Sequence, residues 1–307
     1  VDGDHICFSQ LDHGSKLSVS GSKDPTGRTR AVNETVTVRT QKVKRNTIKS
    51  RLIFFILLAA ILLLITVFAE KLAPYDPYAQ DLSLSKQPPS AAHWMGTDQY
   101  GRDVFSRVLV GAQTSIFSTL TLVAAISLFG TIVGTLCGYY GGAVDSVMMR
   151  ISDVCLAFPG LVFALAIAAL LGGGVSNAVL ALAVISWPKY ARVARSQTLA
   201  LKSSDFMAAA RLSGDTSRQM ILRHILPNIL GPILVTAMLD IGTMMMELAG
   251  LSFLGLGAQP PTAEWGNMMS GGRSMLQTYP WLVLSPGIAI FLTVVIFNLL
   301  GYTVRDY

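Results

Sequence analysis

Charge is scarce in this chain. Asp, Glu, Lys and Arg make up 14% of its 307 residues, where a soluble domain carries roughly a quarter. The shortfall is gathered into long charge-free runs and mean hydropathy is +0.51, which argues against a soluble enzyme. The formal net charge of +6 sits between apolar runs and makes no nucleic-acid patch. Cysteine is nearly missing too: Cys7, Cys137 and Cys155 have no paired spacing, so neither a disulfide framework nor a zinc site is supported, and two of them read as small buried apolar residues. The sequence holds no Gly-x-x-x-x-Gly-Lys-Ser/Thr phosphate loop, and Gly172–Gly174 lacks the following lysine. ATP hydrolysis by the usual loop is therefore not expected of this chain. His-Glu-x-x-His is absent, as are paired aspartates or a Ser/His pair at one depth, which argues against a membrane enzyme. No convincing internal repeat supports a secondary carrier.

What is present is a series of apolar runs. Leu52 to Ala69 is free of charge over a length that crosses about 27 Å at ~1.5 Å per residue, and no face of it is polar. A second span is expected at Ser115–Gly138. The long run after it is divided by Gly172–Gly174 into a third span at Met148–Leu171, kinked by Pro159, and a fourth at Val175–Leu199. A fifth is expected at Pro227–Gly250 and a sixth at Leu282–Val304. Residues 1–38 are polar, without the pattern of an export signal, and are expected to be a mobile cytoplasmic tail.

Orientation follows from the basic residues. Arg39, Lys42, Lys44, Arg45, Lys49 and Arg51 precede the first span with no acid among them. Segment 189–227 holds Lys189, Arg192, Arg195, Lys202, Arg211, Arg218 and Arg223 against two aspartates. Both are expected in the cytoplasm, giving an all-α integral membrane protein with six transmembrane helices, N-in and C-in. Its expected parts are a tail at 1–45, a first helix and extracytoplasmic loop at 46–112, and a five-helix core at 113–307. Within the core, residues 200–227 form a cytoplasmic loop in which a helix over Phe206–Leu212 ends at Gly214 and Asp215 begins a second. Two short helices meeting at a glycine make a knob that a cytoplasmic partner can grip.

Ala208-Ala209-Ala210, then Gly214, then Leu226-Pro227, resembles the EAA loop of ABC-importer permeases, with Ala208 in place of the Glu and His224 in place of an Ile. His93-Trp94-Met95-Gly96-Thr97-Asp98 with Gly101-Arg102-Asp103-Val104-Phe105-Ser106-Arg107, the stretch Leu251–Gly257, and Pro260–Gly266 are similar to signatures of C-type permeases for dipeptides, oligopeptides and nickel. The resemblance covers about residues 45–307. It implies a type I permease fold in the bacterial inner membrane, pairing with a homologous B-type permease, two ATP-binding subunits that bind ATP and Mg, and an extracytoplasmic substrate-binding protein. It implies no cofactor on this chain. Peptide and nickel substrates both stay open, and an ATP-independent channel or secondary carrier is the alternative.

The resemblance makes Ala208, Ala209, Ala210, Gly214, Leu226 and Pro227 the ATPase-coupling loop. Asp240 and Glu247 share one face of the fifth span, and ionisable groups at that depth need a cavity or a partner. They and Met244 are candidates for the translocation pathway; the plainer alternative is that Asp240 satisfies a neighbour and the methionines pack. Arg102, Asp103 and Arg107 are candidates for docking the binding protein, or for a local ion pair. Arg150 and Asp153 are spaced to pair across one helical turn. His93 and His224 fall on opposite faces of the membrane and cannot share a metal.

Overall fold

The computed structural model describes residues 45–306; the expected tail at 1–45 lies outside them but for its last residue. Eleven α-helices follow in chain order: α1 (Arg45–Val67), α2 (Ala69–Leu72), α3 (Val104–Tyr140), α4 (Gly142–Ala157), α5 (Gly160–Leu170), α6 (Val175–Lys202), α7 (Asp205–Leu212), α8 (Ser217–Gln219), α9 (Leu226–Phe253), α10 (Trp265–Gly272) and α11 (Trp281–Asp306). Among the described residues there is no strand, only an isolated bridge between Thr97 and Asp103.

Among the described residues, four helices are long and apolar enough to cross a membrane: Lys49–Val67, Val104–Tyr140, the continuous path Ser217–Phe253, and Trp281–Asp306. α4 and α5 pass together as a fifth. The second span outruns its expected bounds, because Asp103 caps it at Val104 and nothing breaks it before Gly141. Its 37 residues reach about 55 Å, well beyond a ~30 Å hydrocarbon layer. The fifth starts earlier than Pro227. A π-helical stretch, Met220–Ile225, runs straight into α9, and widening the turn there accommodates the proline's missing N–H.

The third span departs most from a straight rod. Phe158 is extended (φ −103°, ψ 149°), as a residue before proline prefers, and α4 and α5 meet at 93°. Three successive positive-φ glycines, Gly172, Gly173 and Gly174, then separate α5 from α6, where the sequence placed the division. α6 does not meet the apolar criterion for a crossing, because only its first half is free of charge.

The core is built on α3 against α6. Gly130, Gly134 and Gly138 lie on one face of α3, and a β-carbon on any of them would collide with Trp187 and Tyr190, with Ala191, or with Arg195 and Thr198 of α6. Lipid offers no hydrophobic drive for helices to associate, so close backbone approach and dispersion contacts hold them. Pro188 inside α6 has no N–H for the carbonyl of Val184; the thiol of Cys155 on α4 points at that oxygen, Sγ to O 3.9 Å. Cys137 is buried in α3, so both thiols are packing residues.

The bundle has two distinct ends. Gly174 N–H donates to Gly257 O (3.1 Å), joining the α5–α6 turn to the chain after α9 on the side of the 73–103 loop. At the other end Lys202 Nζ reaches Tyr139 O (2.6 Å), and α7 sits beside the start of α9.

Candidate functional site

Three polar constellations stand out, one at each end of the bundle and one running from its middle towards the α7 end.

At the loop end, Asp98 gathers the segment 73–107. Its carboxylate accepts from Arg102 Nε at 2.6 Å and from the backbone N–H groups of Tyr100 and Arg102, and Arg107 Nε lies 3.8 Å away. Arg107 also donates to Pro77 O (2.9 Å) and Pro261 O (3.3 Å). Asp103 caps α3 by accepting from Ser106 N–H and Oγ–H (2.7 and 2.6 Å) and lies 2.9 Å from His93 Nδ1. Arg102, Asp103 and Arg107 are all buried. The docking expectation for these three therefore meets no exposed surface in this conformation: their charges are consumed in stapling the loop to α3 and to the cis Pro260–Pro261 segment. Glu264 completes this end. It caps α10 by accepting from Gly266 N–H (2.9 Å) and Asn267 N–H (2.8 Å), and Ser115 Oγ–H reaches it from α3 (3.2 Å). Burial pushes the Glu264 carboxyl up, and the two backbone donors and the serine pull against that rise.

At the opposite end, α7 closes in a Schellman turn. Asp215 N–H donates to Ala210 O (3.2 Å), Gly214 N–H donates to Arg211 O (3.0 Å), and Gly214 holds φ +89°, a conformation glycine adopts without steric cost. The cap of the next helix is not Asp215, as the sequence suggested. Thr216 caps it, with Gln219 returning to Thr216 N–H (2.8 Å) in a reciprocal box. Asp215 instead binds His224, Oδ2 to Nε2 2.8 Å. Met207 and Met220 are fully buried and root the knob in the core. Ala208, Ala209 and Gly214 are exposed, Ala210 partly so, and Leu212 is 90% exposed. Leu226 is half-buried and Pro227 exposed at the base.

From its middle towards the α7 end, α6 carries a ladder of cations at positions 189, 192 and 195, one face of a helix. Lys189 Nζ binds Asp240 Oδ1 of α9 at 2.5 Å. Arg192 Nη2 binds Asp153 Oδ1 of α4 at 2.7 Å. Arg195 grips Asp145 of α4 through Nε and Nη2 at 2.5 and 2.6 Å. The expected Arg150–Asp153 pair is thus replaced by a tertiary one, Asp153 with Arg192. Asp240 is buried, with its second oxygen taken by Tyr190 OH (3.1 Å), so it satisfies neighbours and presents nothing outward. Met244 is buried as well; the methionine that faces out is Met246, 58% exposed. Glu247 remains half-buried and has no hydrogen-bond partner among the described residues. Among those residues no group of three His, Cys, Asp or Glu is placed to hold a metal.

Long helices whose outer faces are Leu, Ile, Val and Phe, with a buried pair such as Lys189–Asp240 held between them, define an integral membrane protein of the multi-span type. Residues 130–307 match the family model described as "Binding-protein-dependent transport system inner membrane component", more than half of the chain, and the chain belongs to that family. It is 46% identical over 246 residues to the probable D,D-dipeptide transport system permease protein DdpC of Escherichia coli (strain K12), covering 80% of this chain and 83% of that protein. It is 43% identical over 244 residues to the dipeptide transport system permease protein DppC of Alkalihalophilus pseudofirmus, 80% of each. It is 45% identical over 251 residues to the glutathione transport system permease protein GsiD of Escherichia coli, covering 81% of this chain and 83% of that one. The chain is therefore a multi-pass inner-membrane permease of the ABC importer class, and the alternative of an ATP-independent channel or carrier is set aside.

Proposed function

We propose that this chain forms half of the translocation pathway of an ATP-driven importer of small peptides. It would pair with a homologous B-type permease, draw ATP and Mg chemistry from two ATP-binding subunits, and receive substrate from an extracytoplasmic binding protein. The names of the relatives, dipeptide, D,D-dipeptide and glutathione permeases, support the substrate class. The chain passes between the two ends of the bundle six times when the α4–α5 pair and α6 are each counted as a passage. That connectivity supports six membrane crossings of type I arrangement. The basic segment around α7 supports placing that end, and both termini, in the cytoplasm.

The observation that carries the coupling role is the α7–α8 knob: a glycine-capped corner rooted by Met207 and Met220 and topped by an exposed Leu212. An exposed leucine on a rigid corner suits a groove on a moving partner, and the continuous helix from Ser217 to Phe253 is a rigid arm from that corner into the membrane. The test is ATP-driven uptake of a labelled dipeptide by the complete complex in proteoliposomes. Gly214→Trp is expected to cut uptake at least tenfold in a complex that still co-purifies with both ATP-binding subunits. Uptake at the unmutated rate would remove the coupling assignment.

A further inference from the structure

We infer that Lys189 and Glu247 form a dipeptide-binding site on the pathway face of this chain, Lys189 taking the substrate's carboxylate and Glu247 its ammonium. The inference rests on the permease reading above and adds to it a site and a size preference.

Both groups are ionisable, lie within the span of the bundle and are partly open to the outside, Lys189 half-exposed and Glu247 half-buried. Lys189 is 50% exposed along its side chain although its partner Asp240 is almost wholly buried. An ammonium has three donors, and only one of them is used, on Asp240. Tyr190 OH donates to the other oxygen of Asp240, so the aspartate is held on two sides, fixes the lysine in place and leaves the lysine's remaining protons for a ligand. Glu247 lies two turns further along α9 on the same face, with no hydrogen-bond partner among the described residues. Between them Thr243 and Met246 are exposed. Turned to lipid, each charge would cost roughly 2.5–3.5 kcal/mol or more; the arrangement is consistent with water or substrate on this side.

A second observation points to the same face. The α4–α5 break leaves Phe158 to Val162 exposed, and non-helical backbone at membrane depth is tolerated only where protein or a water-filled cavity meets it. That break lies against the same two helices. A β-carbon on Gly160 would sit 3.8 Å from Ile185 Cδ1, one turn from Lys189, and one on Gly250 would sit 3.9 Å from Leu161 Cδ1, one turn from Glu247.

The spacing sets the ligand's length. Seven residues of α-helix separate Asp240 from Glu247 by about 10 Å along the axis, and Lys189 is bonded to Asp240. A dipeptide spans about 7 Å end to end, and an ionic hydrogen bond adds about 2.8 Å at each end. Its total, about 12.6 Å, spans the gap when the peptide lies about 35° off the helix axis. Each further residue adds about 3.5 Å and forces the peptide to buckle.

The test is equilibrium binding to the assembled transporter in lipid nanodiscs, without the binding protein, using Ala-Ala, N-acetyl-Ala-Ala and Ala-Ala amide as probes. Ala-Ala is expected to bind at least tenfold more tightly than either blocked form. Glu247→Gln is expected to erase only the preference over N-acetyl-Ala-Ala. Lys189→Gln combined with Asp240→Asn, which removes both charges of the buried pair together, is expected to erase only the preference over the amide. Equal binding of the three probes, no binding of Ala-Ala, or preferences unchanged in the variants would overturn the site. ATP-driven uptake of Ala-Ala with the binding protein present is measured in parallel. Uptake without charge-selective binding retains the importer and removes this site, whereas loss of both removes both.

Discussion

His224 Nε2 lies 2.8 Å from Asp215 Oδ2, tying the residue after the glycine corner to the π-helical stretch that leads into α9. This pair accounts for one departure from the family pattern. Where the pattern this loop resembles has an isoleucine, this chain has a histidine, and the aspartate beside Gly214 is its partner. Both side chains are about a quarter to a third exposed, so solvent screens the interaction and its worth is at most about 1 kcal/mol. In a double-mutant cycle of Asp215→Ala and His224→Ala, thermal unfolding of the purified permease pair is expected to give a coupling of about 0.5–1 kcal/mol. Strict additivity of the two single changes would mean that the contact contributes nothing.

The helix interface between α3 and α6 gives a contrast between two kinds of glycine. A side chain at Gly134 would strike the carbonyl of Ala191, a backbone atom that cannot move aside without parting the helices. Gly134→Leu is expected to abolish accumulation of folded protein in the membrane. Gly231 is also helical, but a β-carbon there meets nothing within 4 Å, and alanine is the better helix former by about 1 kcal/mol. Gly231→Ala is expected to leave expression unchanged and to raise the unfolding temperature by a degree or more. Equal tolerance at both positions, read by membrane yield and thermal unfolding, would show that close α3–α6 packing is dispensable.

Much of this architecture is legible in the sequence, and the gaps have physical causes. Three consecutive glycines announce a chain reversal because no other residue adopts successive positive φ so cheaply, and they divide α5 from α6 as expected. Pro159 announces a break, but not its 93° size, which depends on what α5 packs against. The glycine stripe at 130, 134 and 138 follows the small-xxx-small pattern and could have been read from spacing alone. The ion pairs could not. Lys189 with Asp240 and Arg192 with Asp153 join residues 51 and 39 positions apart, while the local Arg150–Asp153 spacing suggested a different partner. The phase of Met244, Met245 and Met246 was equally hidden. A methionine run shows that one residue must face outward, and only the helices packed around α9, which bury Met244 and Met245, decide that it is Met246. Arg102, Asp103 and Arg107 had the composition of a docking surface, and burial, which composition does not report, turned them into a staple.

Glu264 makes the stability of the fold depend on pH. Its carboxyl is buried at the first turn of α10 and its titration is pushed up from 4.5, first by desolvation, against the pull of the Gly266 and Asn267 amides and of Ser115. A carboxyl whose folded value exceeds its unfolded one favours the folded state in its protonated form. The stability it contributes is complete below about pH 4.5 and is lost as pH rises from there through the raised value. The unfolding temperature of the unmutated protein is expected to fall across that window. Glu264→Gln, which cannot titrate, is expected to lack this component while losing one of the two acceptor oxygens that cap α10. Ser115→Ala tests the same site from the α3 side. Its hydroxyl donates to Glu264 and accepts from Trp265 N–H at 3.1 Å, so its removal leaves two buried groups short of a partner at a cost of about 1–3 kcal/mol. If thermal unfolding across this pH range followed the same curve with and without Glu264, the carboxyl would have to titrate alike in the folded and unfolded chain, and burial at the α10 cap would not be what sets its charge.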